Sequence, residues 1–170
     1  STAHAFSHIL YKALLFMGAG AVIQSTGKSN LTELGGLWNK QPLIFWLYMI
    51  GALSISGVPL FNGFISKSMV VAAAGEAHHN VAMLLLLLAS VGTFLSVGLK
   101  LPYGTWFGEN RGLSALPPPR NMYLAMAAAA FFCILYGIMP GLLYAILPYQ
   151  VSFAPYTLPH LVETAQILLF

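Results

Sequence analysis

Three ionisable side chains recur every four residues near the start of the chain: His4, His8 and Lys12. Four residues of α-helix advance about 6 Å along the axis and drift only about 40° around it, so the three groups share one face. A neutral imidazole accepts a proton on one ring nitrogen and releases one from the other. Joined by water, this stripe predicts a proton relay. Two alternatives stay open: polar contacts between helices, and a zinc site, although no Asp, Glu or Cys accompanies the histidines.

Lys67 lies near the middle of the long stretch 43–75, which is otherwise uncharged. A charged lysine at membrane depth is costly, so its charge depends on its neighbours. The central position favours a titratable group that faces a cavity over a side chain that reaches the lipid headgroups. For Lys100, which precedes Pro102, these two interpretations are evenly balanced. The sequence favours a solvated turn for Glu76 and its neighbouring histidines.

The elements that position these groups follow from composition. Apolar residues make up 58% of the 170 residues and charged residues only 6%. A soluble domain carries about a quarter charged residues, so a water-soluble protein is excluded. Crossing a bilayer takes about 20 apolar residues in a helix, whereas a membrane barrel shows alternating segments of about ten. The continuous apolar runs therefore predict an all-α, polytopic transmembrane bundle. Its spans are expected at about 3–23, 43–75, 81–101, 122–147 and 158–170, the last incomplete.

The span 43–75 is too long for one crossing and is interrupted by Gly57, Pro59 and Gly63. Proline lacks an N–H group and collides with the preceding turn, so the helix is predicted to break at 57–63. Loose backbone at membrane depth is tolerated only against protein or a water-filled cavity, and such breaks are common at transport sites. A simple packing kink is the alternative, and Lys67 favours the transport site.

Loop charge predicts the orientation. Loops 24–42 and 102–121 contain Lys28, Lys40, Arg111 and Arg120, whereas the loops at 76–80 and 148–157 contain no lysine or arginine. Because basic loops stay in the cytoplasm, the first two loops are expected there. Both ends of the chain are apolar and lack terminal signals, which predicts that residues 1–170 are one transmembrane domain cut from a longer protein.

Three stretches resemble the proton-conducting membrane transporter family, which includes the antiporter-like subunits of respiratory complex I and large subunits of Mrp-type Na⁺/H⁺ antiporters. The first runs from His4 through His8 and Lys12 to Gly20, the second is Glu33-Leu-Gly-Gly-Leu, and the third runs from Ile50 to Lys67. The resemblance is specific over residues 1–75 and loose beyond. The wording around Lys67 looks closer to the D-type antiporter subunits than to a complex I subunit, although Ser68 stands where many relatives have an acidic residue.

This resemblance implies the second inverted repeat of the antiporter-like fold, about four to five spans with one broken. It implies that His4, His8, Lys12 and Lys67 carry protons within a larger assembly, either an antiporter or an NADH:quinone oxidoreductase-like complex. The partners expected are other membrane subunits, the lipid bilayer and protons, in a bacterial or archaeal inner membrane, with Na⁺ as a second transported ion left open. A structural subunit or an inactive fragment is the alternative. No metal or redox cofactor is expected, since the chain lacks cysteine clusters and a nucleotide-binding glycine loop. Glu33, Glu109 and Glu163 are assigned no role.

Overall fold

The computed structural model describes residues 2–169, and every regular element within that range is helical. The helices are α1 (Thr2–Thr26), α2 (Pro42–Ser56), α3 (Asn62–Glu76), α4 (Asn80–Phe107), α5 (Arg120–Ile138), α6 (Pro140–Ala145) and α7 (Leu158–Leu169). Three of them, α1, α4 and α5, are long and apolar enough to cross a membrane, and α2 is a shorter apolar helix. The predicted all-α, polytopic helical bundle is confirmed.

Helix α1 lies at the centre of the bundle and packs on α2, α3 and α5. Its buried face follows the three- and four-residue spacing of a helix: Ala3, Ser7, Tyr11, Leu14, Leu15, Gly18, Ala21, Val22 and Ser25. Small residues on this face allow close approach, because a Cβ on Gly18 would lie 2.9 Å from the ring of Tyr48 on α2. Because α1 is packed on three neighbouring helices, the side chains next to its buried face are held at fixed positions.

The predicted helix break is confirmed between α2 and α3. Gly57 has φ +83° and its N–H donates to the carbonyl of Ser54 at 3.0 Å, while Val58 N–H donates to Leu53 O at 3.0 Å. These bonds satisfy the last carbonyls of α2 at a left-handed residue, which is a common helix end. Pro59 then prevents the helix from resuming, and α3 begins at Asn62.

Helix α4 is longer than the predicted span at 81–101. It continues past Pro102 to Phe107 through two π-helical stretches, Phe94–Lys100 and Tyr103–Phe107. Wider turns re-route the backbone hydrogen bonds, so that the missing N–H of Pro102 does not end the helix. Lys100 therefore lies within α4 rather than at its end, and its side chain is exposed.

The predicted span 122–147 is divided into α5 and α6. Met139 lies between them with φ −115° and ψ 73°, and Pro140 is the first residue of α6. A residue that precedes proline is pushed out of the helical region by the pyrrolidine ring, which explains the interruption. This second break was not predicted.

The loops that follow α1 and α4 lie against each other at one end of the bundle. Leu116 N–H donates to Ser25 O at 3.1 Å, and the Lys40 ammonium donates to Leu113 O. At the opposite end, Thr2 and Ala3 share a cavity wall with residues 147–151. The two basic loops therefore occupy the same end of the molecule.

Candidate functional site

The break between α2 and α3 is lined by buried polar groups. The Ser54 hydroxyl donates to Asn62 Oδ1, and the Asn62 amide nitrogen lies 3.5 Å from the carbonyl oxygen of Ser7 on α1. Gly63 N–H lies 3.4 Å from Ser54 Oγ. The Ser7 hydroxyl is fully buried and has no hydrogen-bond partner among the residues that the structure describes. Protein groups thus satisfy the loose backbone, and unmet polar capacity remains beside it.

His4 reaches across from α1 to α3. Its Nδ1 lies 3.2 Å from Ser66 Oγ, and Ser66 lies 3.3 Å from Gly63 O, to which its hydroxyl proton is donated. A serine has one proton, so its oxygen then accepts from an Nδ1–H of His4. This arrangement favours the tautomer in which Nε2 of the neutral imidazole is free to accept a proton.

Lys67 crosses the break from the α3 side. Its Cδ lies 3.1 Å from the position that a Cβ on Gly57 would occupy, and its ammonium donates to Ser90 Oγ on α4 at 2.8 Å. The absence of a side chain at Gly57 therefore opens the path of the lysine. Lys67 is half-buried within the bundle, which agrees with a group that faces a cavity.

His4 and Lys67 line the same cleft between α1, α3 and α4. The cleft has a volume of about 230 Å³, and its other walls are Val70, Val71, Leu86, Ala89, Ser90 and Thr93. A water molecule needs roughly 10–15 Å³ when volume is measured in this way, so several fit. The two predicted groups on separate helices are therefore brought together, with room for water between them.

His8 and Lys12 continue the series away from the cleft. The ring centroids of His4 and His8 are 6.1 Å apart, and the Lys12 ammonium lies 5.6 Å from the ring centroid of Phe16. Both side chains are half-buried. Eight residues of helix separate Lys12 from His4 by about 12 Å along the axis. The structure thus interposes the two histidines between the two lysines along the α1 face.

Lys100 and the ionisable groups of the α3–α4 turn lie elsewhere. Lys100 is exposed on the outside of α4, and Glu76, His78 and His79 are exposed around the α3–α4 turn. Within residues 2–169 no three His, Cys, Asp or Glu side chains are grouped closely enough to hold a metal ion. The pair His4 and His8 therefore has no third ligand of these types in that range.

Sequence reasoning missed one charged group near Lys67. Glu163 on α7, half-buried, lines a second cavity together with Lys67, Ser68 and Ser90. A signal was available, because Glu163 is the one charged residue in the apolar stretch 158–170, as Lys67 is in 43–75. An isolated charge in an apolar segment marks a functional position by default.

A helical bundle with three bilayer-length apolar helices and ionisable groups around an internal break is the architecture of an integral, multi-pass membrane protein. The pattern that defines the NADH:quinone oxidoreductase/Mrp antiporter transmembrane family matches residues 1–96. The chain belongs to this family, and the predicted family resemblance is confirmed.

Individual relatives carry antiporter names. The chain is 34% identical over 155 residues to the A1 component of a Na⁺/H⁺ antiporter of Staphylococcus haemolyticus, covering 82% of this chain and 19% of that protein. It is 33% identical over 147 residues to the A/B component of a probable K⁺/H⁺ antiporter of Rhizobium meliloti, covering 81% of this chain and 14% of that protein. An uncharacterised protein of Methanocaldococcus jannaschii is 40% identical over 94 residues, 55% of this chain and 19% of its own length.

The chain thus spans less than a fifth of the length of these curated relatives. The two with antiporter names are A-type components, whereas the wording around Lys67 suggested the D type. The type of antiporter component stays a prediction. Ion and proton translocation is the function associated with the family.

Proposed function

We propose that this chain forms one half of a proton pathway in the membrane part of a multi-subunit Na⁺/H⁺ antiporter of the Mrp type or of an NADH:quinone oxidoreductase-like assembly. The observation that carries the proposal is the cleft shared by His4 and Lys67, because it joins the ionisable face of α1 to the lysine beside the helix break. The relatives' names favour the antiporter over the dehydrogenase.

The pathway runs along Lys12, His8, His4 and Lys67. Water in the cleft links the last two, and the His4 Nε2 that Ser66 leaves free accepts the proton arriving from the lysine side. Each imidazole takes a proton on one nitrogen and gives one from the other, so a proton advances without net movement of the ring. A proton that reaches Lys12 charges a group at the middle of α1.

Charge repulsion couples the two ends of this series. Two positive charges at an effective dielectric of about 20 repel by roughly 4 kcal/mol at 4 Å, and in proportion less at longer distance. Protonation of His4 therefore favours release of the proton from Lys67 across the cleft. By the same repulsion, a change of charge on a neighbouring subunit can shift protons along this series.

The assembly and orientation follow from the surface. Apolar side chains are exposed along α4, where Leu84, Leu85 and Leu88 each expose more than half of their surface. Lipid or another membrane protein of the assembly covers such a face.

The end that carries the four basic loop residues is assigned to the cytoplasm of a bacterial or archaeal cell by the positive-inside rule.

The test is proton translocation by the assembled transporter that contains this chain, reconstituted in lipid vesicles with a pH-sensitive dye inside. Lys67→Gln and His4→Gln are each expected to lower the initial rate by roughly a hundredfold, the scale of a lost proton-transfer group. Assembly is checked by co-purification of the partner subunits.

Lys100→Gln is the matched control, since it removes a lysine from the same bundle at an exposed position. It is expected to leave the rate within about twofold, and a large loss would instead assign Lys100 to the pathway. Unchanged translocation in Lys67→Gln, with normal assembly, would favour a purely structural role.

A further inference from the structure

We propose that Glu163 on α7 exchanges protons with Lys67 through water held in the cavity between them, so that the relay continues beyond the cleft to a carboxylate. This inference rests on the proposed function, in which Lys67 carries a proton. The lining of this cavity, unlike that of the cleft, does not include His4. Glu163 and Lys67 are both among its lining residues.

The cavity has room for about two or three water molecules. Its volume is about 30 Å³, and a water molecule needs roughly 10–15 Å³ when volume is measured in this way. Water in such a place needs two to four polar partners. The walls supply them from four helices: Ser56, Lys67, Ser68, Ser90, Glu163 and Thr164. A bridge of one water is therefore the physical link that the space permits.

The serine hydroxyls orient that water. Ser56 donates its proton to Ala52 O at 2.6 Å, and Ser68 donates to Phe64 O at 2.8 Å. Because each hydroxyl has a single proton, both oxygens are left as acceptors. A water that accepts from the Lys67 ammonium can then donate its own protons to these oxygens or to the Glu163 carboxylate.

Helix α7 is held in register beside the break. The Tyr156 hydroxyl donates to Gly137 O on α5, the rings of Phe64 and Tyr156 are 5.3 Å apart, and Leu161 packs against the apolar cluster that contains Phe64. Glu163 lies two residues beyond Leu161 in the same helix. The carboxylate is thus placed by contacts with α3 and α5 and does not depend on an ion pair of its own.

The proton step balances. The Lys67 ammonium gives one proton to the water while the water gives one to the Glu163 carboxylate, which leaves a neutral amine, a water and a carboxylic acid. The reverse step restores both charges. Attraction favours the charged pair and desolvation favours the neutral pair, so the two effects on the proton's position oppose each other.

The groups that face Lys67 from its neighbouring helices restrict where the proton can go. Four of them line a cavity together with Lys67: His4 on α1, Glu163 on α7, Ser56 on α2 and Ser90 on α4. The serine hydroxyls do not ionise near neutral pH. His4 and Glu163 are therefore the two exchange partners of Lys67 among these groups.

Proton translocation by the assembled transporter in vesicles tests the proposal, with Glu163→Gln, Glu163→Asp and Glu76→Gln compared. Glu76 is the matched control, because it is an exposed carboxylate at the end of α3. We expect Glu163→Gln to lower the rate at least tenfold, Glu163→Asp to retain a third or more of it, and Glu76→Gln to stay within about twofold.

Infrared difference spectra between acidic and alkaline pH give a readout that a structural role would not produce. The carboxyl C=O band of protonated Glu163 is expected in the wild type and absent in Glu163→Gln. If Glu163→Gln fails to assemble, a shifted band in Glu163→Asp decides the question in favour, and no shift decides against. Wild-type rates in assembled Glu163→Gln would overturn the proposal.

Two further outcomes also overturn it. The first is an altered half-saturating Na⁺ concentration in Glu163→Gln at an unchanged proton rate, which would make the carboxylate a metal-cation ligand. The second is an equal loss in Glu163→Gln and Glu163→Asp without a carboxyl band. The proposed function fails separately, since it is contradicted by a wild-type rate in assembled Lys67→Gln or His4→Gln.

Discussion

The bundle contains two helix breaks, and they differ in what surrounds them. The break between α2 and α3 is flanked by buried Ser54 on α2 and buried Asn62 on α3, and Lys67 follows further along α3. The break between α5 and α6 has only Met139 between the helices, followed by Pro140 and an apolar turn. Both contain proline, yet Lys67 lies beside the first, whereas the polar side chain that reaches the second is the Tyr156 phenol on Gly137 O.

The two breaks also touch. A Cβ on Gly137 at the end of α5 would lie 2.2 Å from Leu60 O in the first break, so the second helix pair packs directly on the first. Through this contact the end of α5 supports the backbone of the first break. We propose that proline alone marks an interruption, whereas proline beside a half-buried lysine marks a transport site.

The largest loss of stability is expected where α2 and α3 approach each other most closely, at Gly63. A Cβ on Gly63 would lie 1.7 Å from the carbonyl oxygen of Ser54, which is backbone and cannot turn aside. Gly63→Ala is therefore expected to lower the free energy of unfolding by about 3 kcal/mol or more, at the upper end for overpacking. Thermal unfolding in detergent measures it.

Gly92→Ala is the control for that change, since nothing lies within 4 Å of the added methyl group on α4. It is expected to be neutral or to stabilise by up to about 1 kcal/mol. Equal unfolding temperatures for the two variants would mean that the α2–α3 approach is looser than this structure has it.

Alanine substitutions at two glycines with left-handed backbone distinguish the effect of backbone strain from the effect of displacing Lys67. Gly57 and Gly27 both follow a helix end, with φ +83° and +70°, but only Gly57 lies against the lysine, and Gly27 has nothing within 4 Å. Alanine at either position is expected to cost about 1–2 kcal/mol through the left-handed conformation. Only Gly57→Ala should also slow proton translocation, because its methyl group displaces Lys67. A similar rate in both variants would contradict this.

The sequence predicted those features of the two breaks that individual residues mark by their type or spacing. Gly57, Pro59 and an isolated lysine indicated the first break, and the four-residue spacing indicated the face shared by His4 and His8. The end of α4 could not be predicted, because π-helical turns carry the chain past Pro102 through tertiary packing. Pro140 was readable as a break but lay in an otherwise uniform apolar run.

The neighbours of Lys67 were beyond sequence reasoning for a different reason. Ser90 and Glu163 are 23 and 96 residues away along the chain, and no periodicity connects separate helices. Packing of α4 and α7 on α3 decides which of their faces reaches the lysine. The stripe on α1 could be predicted as a face, whereas the cleft it shares with Lys67 needed the fold.

The second break gives a smaller expected effect. Pro140 occupies the first turn of α6, where its missing N–H has no partner to lose. Pro140→Ala is expected to lower the free energy of unfolding by less than about 1 kcal/mol and to leave proton translocation within about twofold. The comparison variant is Pro59→Ala in the first break. Equal loss of translocation in both would show that the second break also belongs to the pathway.

The smallest effect is expected at a carboxylate far from both breaks. Glu33 is exposed in the loop after α1, where hydrogen bonds from Lys28, at 2.9 Å, and Asn30 hold its pKa below the ordinary 4.5. Because the folded pKa is the lower one, the favourable interaction is present above pH 4.5 and is lost as the pH falls through the lowered value. Lys28→Met should raise the Glu33 pKa toward 4.5, measured by carboxyl NMR titration, and leave proton translocation unchanged. Added salt should raise it too, since an exposed pair is screened. A rate that follows the Glu33 titration would instead extend the pathway to the basic loops, and the contrast between a buried site and a solvated end would no longer hold.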